Sequence, residues 1–117
     1  MAEKIFEYLE NLPDDLTSHL VGFKKVFLHD LDTQTALTQF AHGILSSGER
    51  SSSHVHPTMM ECFYFIKGNG EYCVDNKIVD IKPGTFVRIP PNTIHELINS
   101  GDSVLEFIYF GIAQSAS

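Results

Sequence analysis

The chain has 117 residues, 43% of them hydrophobic and 20% charged, which is the composition of one ordinary globular domain. Eight basic and fifteen acidic residues give a net charge of -7, and this balance disfavours nucleic acid and anionic membrane surfaces as partners. No apolar run reaches the roughly 20 residues that a membrane helix needs. The acidic opening sequence, MAEKIFEYLENL, also differs from the basic start of a signal peptide, so we expect a cytoplasmic protein.

Helical periodicity is confined to the beginning of the chain. Ile5, Leu9 and Leu12 are spaced as on one face of an amphipathic helix. Pro13 ends this pattern. Residues 1–22 are therefore predicted to form a short helix or an irregular arm, ahead of the main domain.

Short runs of strand-forming residues follow one another through residues 23–113, and residues 114–117 are expected to be a tail. Turns such as Gly68-Asn69-Gly70 and Lys82-Pro83-Gly84 separate these runs. Short strands at regular spacing, with almost no helical period, predict an antiparallel sandwich or barrel. The predicted strands are residues 23–29, 36–45, 54–56, 61–67, 71–74, 77–81, 86–89, 95–99 and 104–111.

The two cysteines are predicted to be free thiols. A hairpin that pairs Lys67 with Glu71 would place Cys73 opposite Phe65. Cys62 would then lie three positions away and on the other face. This separation exceeds the roughly 5.5 Å between Cα atoms that a disulfide prefers. Free thiols are consistent with a reducing compartment.

A histidine pair and an acidic residue indicate a metal site. His54 and His56 project to the same side of an extended chain, so both rings can reach one ion. Glu61 opens an apolar run, and it enters the hydrophobic interior if it shares a face with Phe63 and Phe65. A buried carboxylate needs a partner. A divalent cation held by the two histidines would be such a partner.

His95 supplies a fourth candidate ligand. It begins a later strand directly after a turn that Pro90 and Pro91 stiffen, so its position is well defined. Three neutral imidazoles and one carboxylate suit Mn, Fe, Co, Ni or Zn.

Two spaced motifs make the chain similar to the cupins. The first motif, G-x5-H-x-H-x4-E-x6-G, is matched at every spacing by Gly48, His54, His56, Glu61 and Gly68. The second, G-x5-P-x-G-x2-H-x3-N, is matched by Gly84, Pro90, His95 and Asn99. Asn92 replaces its middle glycine, and asparagine tolerates a left-handed turn conformation. The resemblance covers residues 36–111 and implies a small single-domain type-2 cupin, an all-β jelly-roll barrel that is RmlC-like.

The resemblance also implies a site and a range of functions. His54, His56, Glu61 and His95 would be the metal ligands near one mouth of the barrel, and Glu61 is also the candidate catalytic residue. Four protein ligands on a six-coordinate ion leave two positions for water, substrate or dioxygen. An enzyme of dioxygenase, isomerase, decarboxylase or lyase type is expected, acting on a small polar metabolite. The alternative is a non-catalytic module that binds a small molecule or a metal. Relatives of this size pair through their sheets, so a homodimer is also expected.

The parity of the strands leaves open which other side chains line the pocket. Gln39 and His42 come from the strand before the ligand loop, and Tyr109 could close the barrel floor. Arg88 and Arg50 could meet an anionic substrate, although a solvated strand face is the simpler interpretation for each.

Overall fold

The computed structural model describes residues 5–16, 21–51 and 53–114, and these ranges form nine strands. A 3-10 turn, Leu9–Asn11, precedes them, and a second one, Asp30–Asp32, connects β2 to β3. The strands are β1 Asp15–Leu16, β2 Phe23–His29, β3 Leu37–Leu45, β4 Met59–Lys67, β5 Gly70–Val74, β6 Lys77–Ile81, β7 Phe86–Ile89, β8 His95–Ile98 and β9 Leu105–Ala113.

The strands form two antiparallel sheets that pack against each other. The larger sheet has the order β1-β2-β3-β9-β4-β7, and the smaller sheet has the order β6-β5-β8. The predicted all-β jelly-roll class is confirmed, and strand pairing within the described residues leaves the sheets separate rather than closing them into one continuous barrel. Most strand boundaries lie within two residues of the predicted ones. The predicted strand over residues 54–56 is reduced to a single bridge between His54 and His95.

The beginning of the chain is an arm rather than an amphipathic helix. Its described part contains only the one-turn 3-10 segment and β1, which adds a sixth strand to the larger sheet by pairing with β2. Residues 1–4, 17–20 and 115–117, which belong to the predicted arm and tail, lie outside the described residues.

Alternation along β4 and β9 builds the core. Phe63 and Phe65 point inward and are buried, whereas Tyr64 between them faces outward and is exposed. Strand pairing aligns inward residues in rows across β3, β9 and β4. The rows are Gln39-Gly111-Glu61, Ala41-Tyr109-Phe63 and Gly43-Phe107-Phe65.

The hairpin expected between β4 and β5 is wrong. In the described structure, β4 pairs with β7 and β9, whereas β5 pairs with β6 and β8 in the other sheet. Gly68 makes this crossing with a left-handed φ of 92°, and a Cβ there would lie 2.5 Å from the carbonyl oxygen of Val104. Cys62 and Cys73 are free, as predicted, but their strands lie in different sheets rather than in the hairpin register that supported the prediction.

Candidate metal centre and its cavity

Backbone pairing brings His54 and His95 together. The N–H of His54 donates to the carbonyl of His95 at 3.1 Å, and the reverse bond is 3.0 Å long. Their imidazole centroids are consequently 4.1 Å apart. Residue 54 is thereby added to the edge of the smaller sheet, beside the first residue of β8.

The turn before β8 positions His56. Asn92 adopts a φ of 60°, as the substitution of the motif glycine by asparagine predicts. Its N–H donates to the carbonyl of His56 at 2.9 Å. One turn residue therefore both reverses the chain ahead of His95 and ties down a second histidine.

Glu61 faces these histidines from the larger sheet. It is 6% exposed, and its Oε1 lies 3.3 Å from His56 Nε2 and 3.6 Å from His95 Nε2. One possible ligand atom from each of four residues lies within 4.8 Å of the other three, and these residues are His54, His56, Glu61 and His95. The group predicted from the sequence is thus assembled from three separate segments, and it could hold a metal ion.

The protonation of His95 fits a metal ligand. Its Nδ1 lies 2.8 Å from the carbonyl oxygen of Thr93, which can only accept, so Nδ1 carries a proton and Nε2 is the ring nitrogen that could bind a metal. That Nε2 is buried and has no hydrogen-bond partner among the described residues. A buried polar atom without a partner costs about 1–3 kcal/mol. A cation bound to Nε2 would remove this cost, so the residues present fit the metal.

A cavity of about 140 Å³ adjoins three of the four residues, namely His54, His56 and Glu61. Most of its wall is apolar and includes Met59, Leu97 and Phe107. Gln39 and Tyr109 are part of the wall. They are two of the side chains for which strand alternation alone could not predict an inward orientation. The cavity is therefore a small apolar chamber with the His/Glu group at one side.

Tyr72 also lines the cavity, and the sequence interpretation missed it. It is 2% exposed at the centre of β5, where its two neighbours are only half-buried, so alternation within this short strand could have indicated it. Phe63 holds both tyrosines in place, since its ring stacks on Tyr109 at 5.1 Å and meets Tyr72 edge-on at 5.3 Å.

Burial keeps both phenols protonated. Removal from water raises the pKa of Tyr72 well above its ordinary value, and the negative charge of Glu61 raises it further. The same two causes raise the pKa of Tyr109. At neutral pH both side chains are uncharged O–H groups in the cavity wall.

The other candidates lie elsewhere. His42 is on the outer face of the larger sheet, where its Nε2 is 2.6 Å from Glu106 Oε2. Arg88 is exposed on the same sheet, opposite Cys62 in the β4–β7 register. Arg50 forms a bidentate pair with Glu96, with N–O distances of 2.7 and 3.1 Å, on an exposed surface. Neither arginine lines the cavity.

Comparisons with known proteins agree with this geometry. The family described as "Cupin domain" matches residues 41–111, and the chain therefore belongs to the cupin domain family. An uncharacterized protein of Methanocaldococcus jannaschii is 32% identical over 68 residues, which are 58% of this chain and 54% of that protein. Quercetin 2,3-dioxygenase of Bacillus subtilis is 33% identical over 48 residues, which are 41% of this chain and 14% of the enzyme. The chain thus aligns with about half, or less, of the length of these relatives.

Solved structures confirm the fold. A predicted oxalate decarboxylase from Thermotoga maritima superposes with a TM-score of 0.86 over 93% of this chain and 99% of that one, at 21% identity. At this identity the likeness establishes the double-stranded β-helix alone. Within the described residues, every helix is too short and too polar to cross a membrane.

Proposed function

We propose that this cupin domain is a metal-dependent enzyme acting on a small polar metabolite. His54, His56, Glu61 and His95 would hold one divalent transition metal, namely Mn, Fe, Ni, Co or Zn. The observation that carries the proposal is the buried, unpartnered Nε2 of His95, which lies 3.6 Å from a carboxylate oxygen in the same cluster. Four ligands would leave two of six positions open, as in catalytic rather than sealed structural sites.

The metal, the two cavity tyrosines and Glu61 would have separate roles in catalysis. When bound, the metal would act as a Lewis acid that polarises a substrate oxygen. Tyr72 and Tyr109 would orient the substrate by donating hydrogen bonds from their neutral hydroxyls. Glu61 is the catalytic candidate for proton movement, because its carboxylate faces the cavity from the inward row of β4.

The reaction would be of dioxygenase, isomerase, decarboxylase or lyase type. The similarity to quercetin 2,3-dioxygenase of Bacillus subtilis supports the first of these. It extends over only 14% of that enzyme, so it supports a relationship to one segment of the enzyme rather than a shared substrate.

A non-catalytic module that binds a small molecule or a metal is the second candidate. One observation favours it: apart from the His/Glu group, the described wall contains no titratable side chains except two tyrosines with raised pKa values. A site with so few acid–base groups could hold a ligand without transforming it.

Metal analysis tests both candidates. Protein produced in metal-supplemented medium is expected to carry about one transition metal per chain, and His56→Ala is expected to lose it. A metal-free wild-type protein would refute the metal-dependent enzyme and the metal-binding module, and would leave only a module that binds a small molecule. Oxygen uptake that requires Fe(II) would identify a dioxygenase, whereas full activity with a redox-inert metal would favour isomerase or lyase chemistry.

We also propose that the chain forms a homodimer in the cytoplasm. Tyr64, Ile66 and Phe86 lie on the outer face of neighbouring strands and are 46%, 42% and 60% exposed, respectively. Adjacent exposed apolar residues of this kind are typical of protein interfaces. Sedimentation is expected to show a dimer that Tyr64→Glu dissociates, and a wild-type monomer at micromolar concentration would contradict it. The two free thiols support a reducing compartment.

A further inference from the structure

We propose that the cavity selects an uncharged, compact oxygen chelator on an apolar skeleton, such as a β-diketone, rather than a small dicarboxylate. The inference rests on the proposed metal-dependent function and names the substrate class of that site. It follows from where the cationic side chains lie, from the charge of the ligand set and from the kind of donors in the wall.

The first observation is the absence of a cationic wall. Among the described residues that line the cavity, none is lysine or arginine. Arg50 is engaged with Glu96 on the surface, and Arg88 points outward from β7. A carboxylate that entered the cavity would therefore find no guanidinium or ammonium group in the described wall to pair with.

Lys24 approaches the wall but stays behind Gln39. Its Nζ donates to Gln39 Oε1 at 3.2 Å. An ammonium group can only donate, so the contact fixes the amide with its oxygen towards Lys24. The amide NH2 of Gln39 remains as a neutral donor in the row that also contains Glu61. Lys24 thus defines the hydrogen-bonding character of Gln39.

The charge of the ligand set gives the second argument. A divalent ion with one carboxylate and three neutral imidazoles carries one net positive charge. A chelator that loses one proton on binding brings this sum to zero. A dicarboxylate would bring it to -1 inside a largely apolar chamber, where an uncompensated charge is costly. Charge balance therefore favours the chelator that is neutral in solution.

The remaining donors match a neutral ligand. The hydroxyls of Tyr72 and Tyr109 and the amide of Gln39 are uncharged donors suited to carbonyl or enol oxygens. Leu97, Phe107 and the other apolar parts of the wall would contact a hydrocarbon skeleton. The volume of about 140 Å³ is close to that of an engineered protein cavity that binds benzene, so it admits a compact ligand.

Acetylacetone and malonate provide a matched pair of probes. They have the same number of non-hydrogen atoms and the same spacing of two oxygens, and they differ because two methyl groups of one replace two carboxylate oxygens of the other. Acetylacetone binds a metal as its enolate, and the proton from its central carbon passes to the buffer. Malonate binds with both of its negative charges.

The experiment measures the affinity of both probes for the cobalt(II)-loaded protein by calorimetry and by the cobalt absorption spectrum. Each affinity is divided by that of the same probe for aqueous cobalt(II), which removes the intrinsic preference of the ion. We expect the corrected ratio to favour acetylacetone by at least about tenfold, the effect of roughly 1.4 kcal/mol. Equal binding, a preference for malonate, or no binding of either probe would overturn the inference.

Variants assign the selectivity to the wall. Met59→Lys places an ammonium group in the cavity wall and is expected to move the ratio about tenfold towards malonate. Tyr109→Phe removes one neutral donor and is expected to weaken acetylacetone about 3- to 10-fold, the usual worth of such a hydrogen bond. Arg88→Met, on the outer face, is the matched control and should change neither affinity.

The possible failures can be distinguished. If the wild-type protein holds no cobalt, the proposed metal-dependent function itself fails before any probe is added. If cobalt is bound but malonate is preferred, only the substrate class is wrong. If Lys24→Met then abolishes malonate binding, Lys24 rather than the neutral wall defines specificity, which also overturns the inference.

Discussion

One histidine–carboxylate cluster lies on each side of the larger sheet, and the two differ in whether their side chains hydrogen-bond to each other. On the outer face, His42 and Glu106 come from neighbouring strands, and their nearest atoms are 2.6 Å apart. On the inner face, Glu61 lies 3.3 Å from His56 and 3.6 Å from His95. Charge-assisted hydrogen bonds between nitrogen and oxygen are about 2.7–2.9 Å long. Only the outer pair is close enough to form such a bond.

The difference distinguishes a hydrogen-bonded structural pair from a cluster that could hold a metal. The outer pair leaves His42 Nε2 satisfied, whereas the inner cluster leaves His95 Nε2 buried without a partner among the described residues. Side chains that are close to one another but not bonded to one another have room for a cation between them. Burial alone does not make this distinction, since His42 and Glu61 are both buried.

Glu61→Gln should give the largest effect in this comparison. The amide keeps the shape of the carboxylate but removes its charge, so metal affinity is expected to fall at least about 100-fold, more than for residues that only support ligands. The metal-free variant should be at least as stable as the wild type, because a buried charge has been removed. Metal titration and chemical denaturation of the two proteins measure both quantities. Unchanged metal affinity would show that the inner cluster is not the site.

Metal binding should stabilise the folded protein through this same cluster. At a free-metal concentration of 100 times Kd, the free energy of unfolding is expected to rise by about 2.7 kcal/mol. A chelator should reverse the effect, and His95→Ala should abolish it. Thermal denaturation with and without metal provides the measurement. Equal stabilisation of His95→Ala would place the metal elsewhere.

Glu106→Gln tests the hydrogen-bonded pair of His42 and Glu106 on the outer face, and it is the matched control for Glu61→Gln. It should leave metal affinity unchanged, because Glu106 faces away from the cavity. Its loss should lower the free energy of unfolding by about 1 kcal/mol, which is below the usual range for hydrogen bonds to charged groups because the Glu106 side chain is 31% exposed. A loss of metal binding in this variant would remove the proposed distinction between the two faces.

The sequence was sufficient to predict which four side chains come together, because the motifs that contain them have fixed local spacings. His54 and His56 follow from the alternation of an extended chain, and His95 follows from a turn that two prolines stiffen. The sequence was insufficient for the wall, because parity specifies two faces but not which one is inward. For that reason the sequence did not show which of Gln39 and His42 points into the cavity. The chain crossing at Gly68 made the predicted hairpin register wrong, since glycine permits both a tight hairpin and a change of sheet.

The smallest predicted effect concerns the turn that connects the two motifs. Asn92 has a φ of 60°, and its N–H holds the carbonyl of His56. Asn92→Ala places an ordinary side chain in the left-handed region and should lower the free energy of unfolding by about 1 kcal/mol, whereas Asn92→Gly should be nearly neutral. Because the turn positions His56, the alanine variant should also weaken metal binding a few-fold, and the glycine variant should restore it. If both variants bind metal like the wild type, the inner cluster assembles independently of this turn, and the pairing of His54 with His95 alone accounts for its geometry.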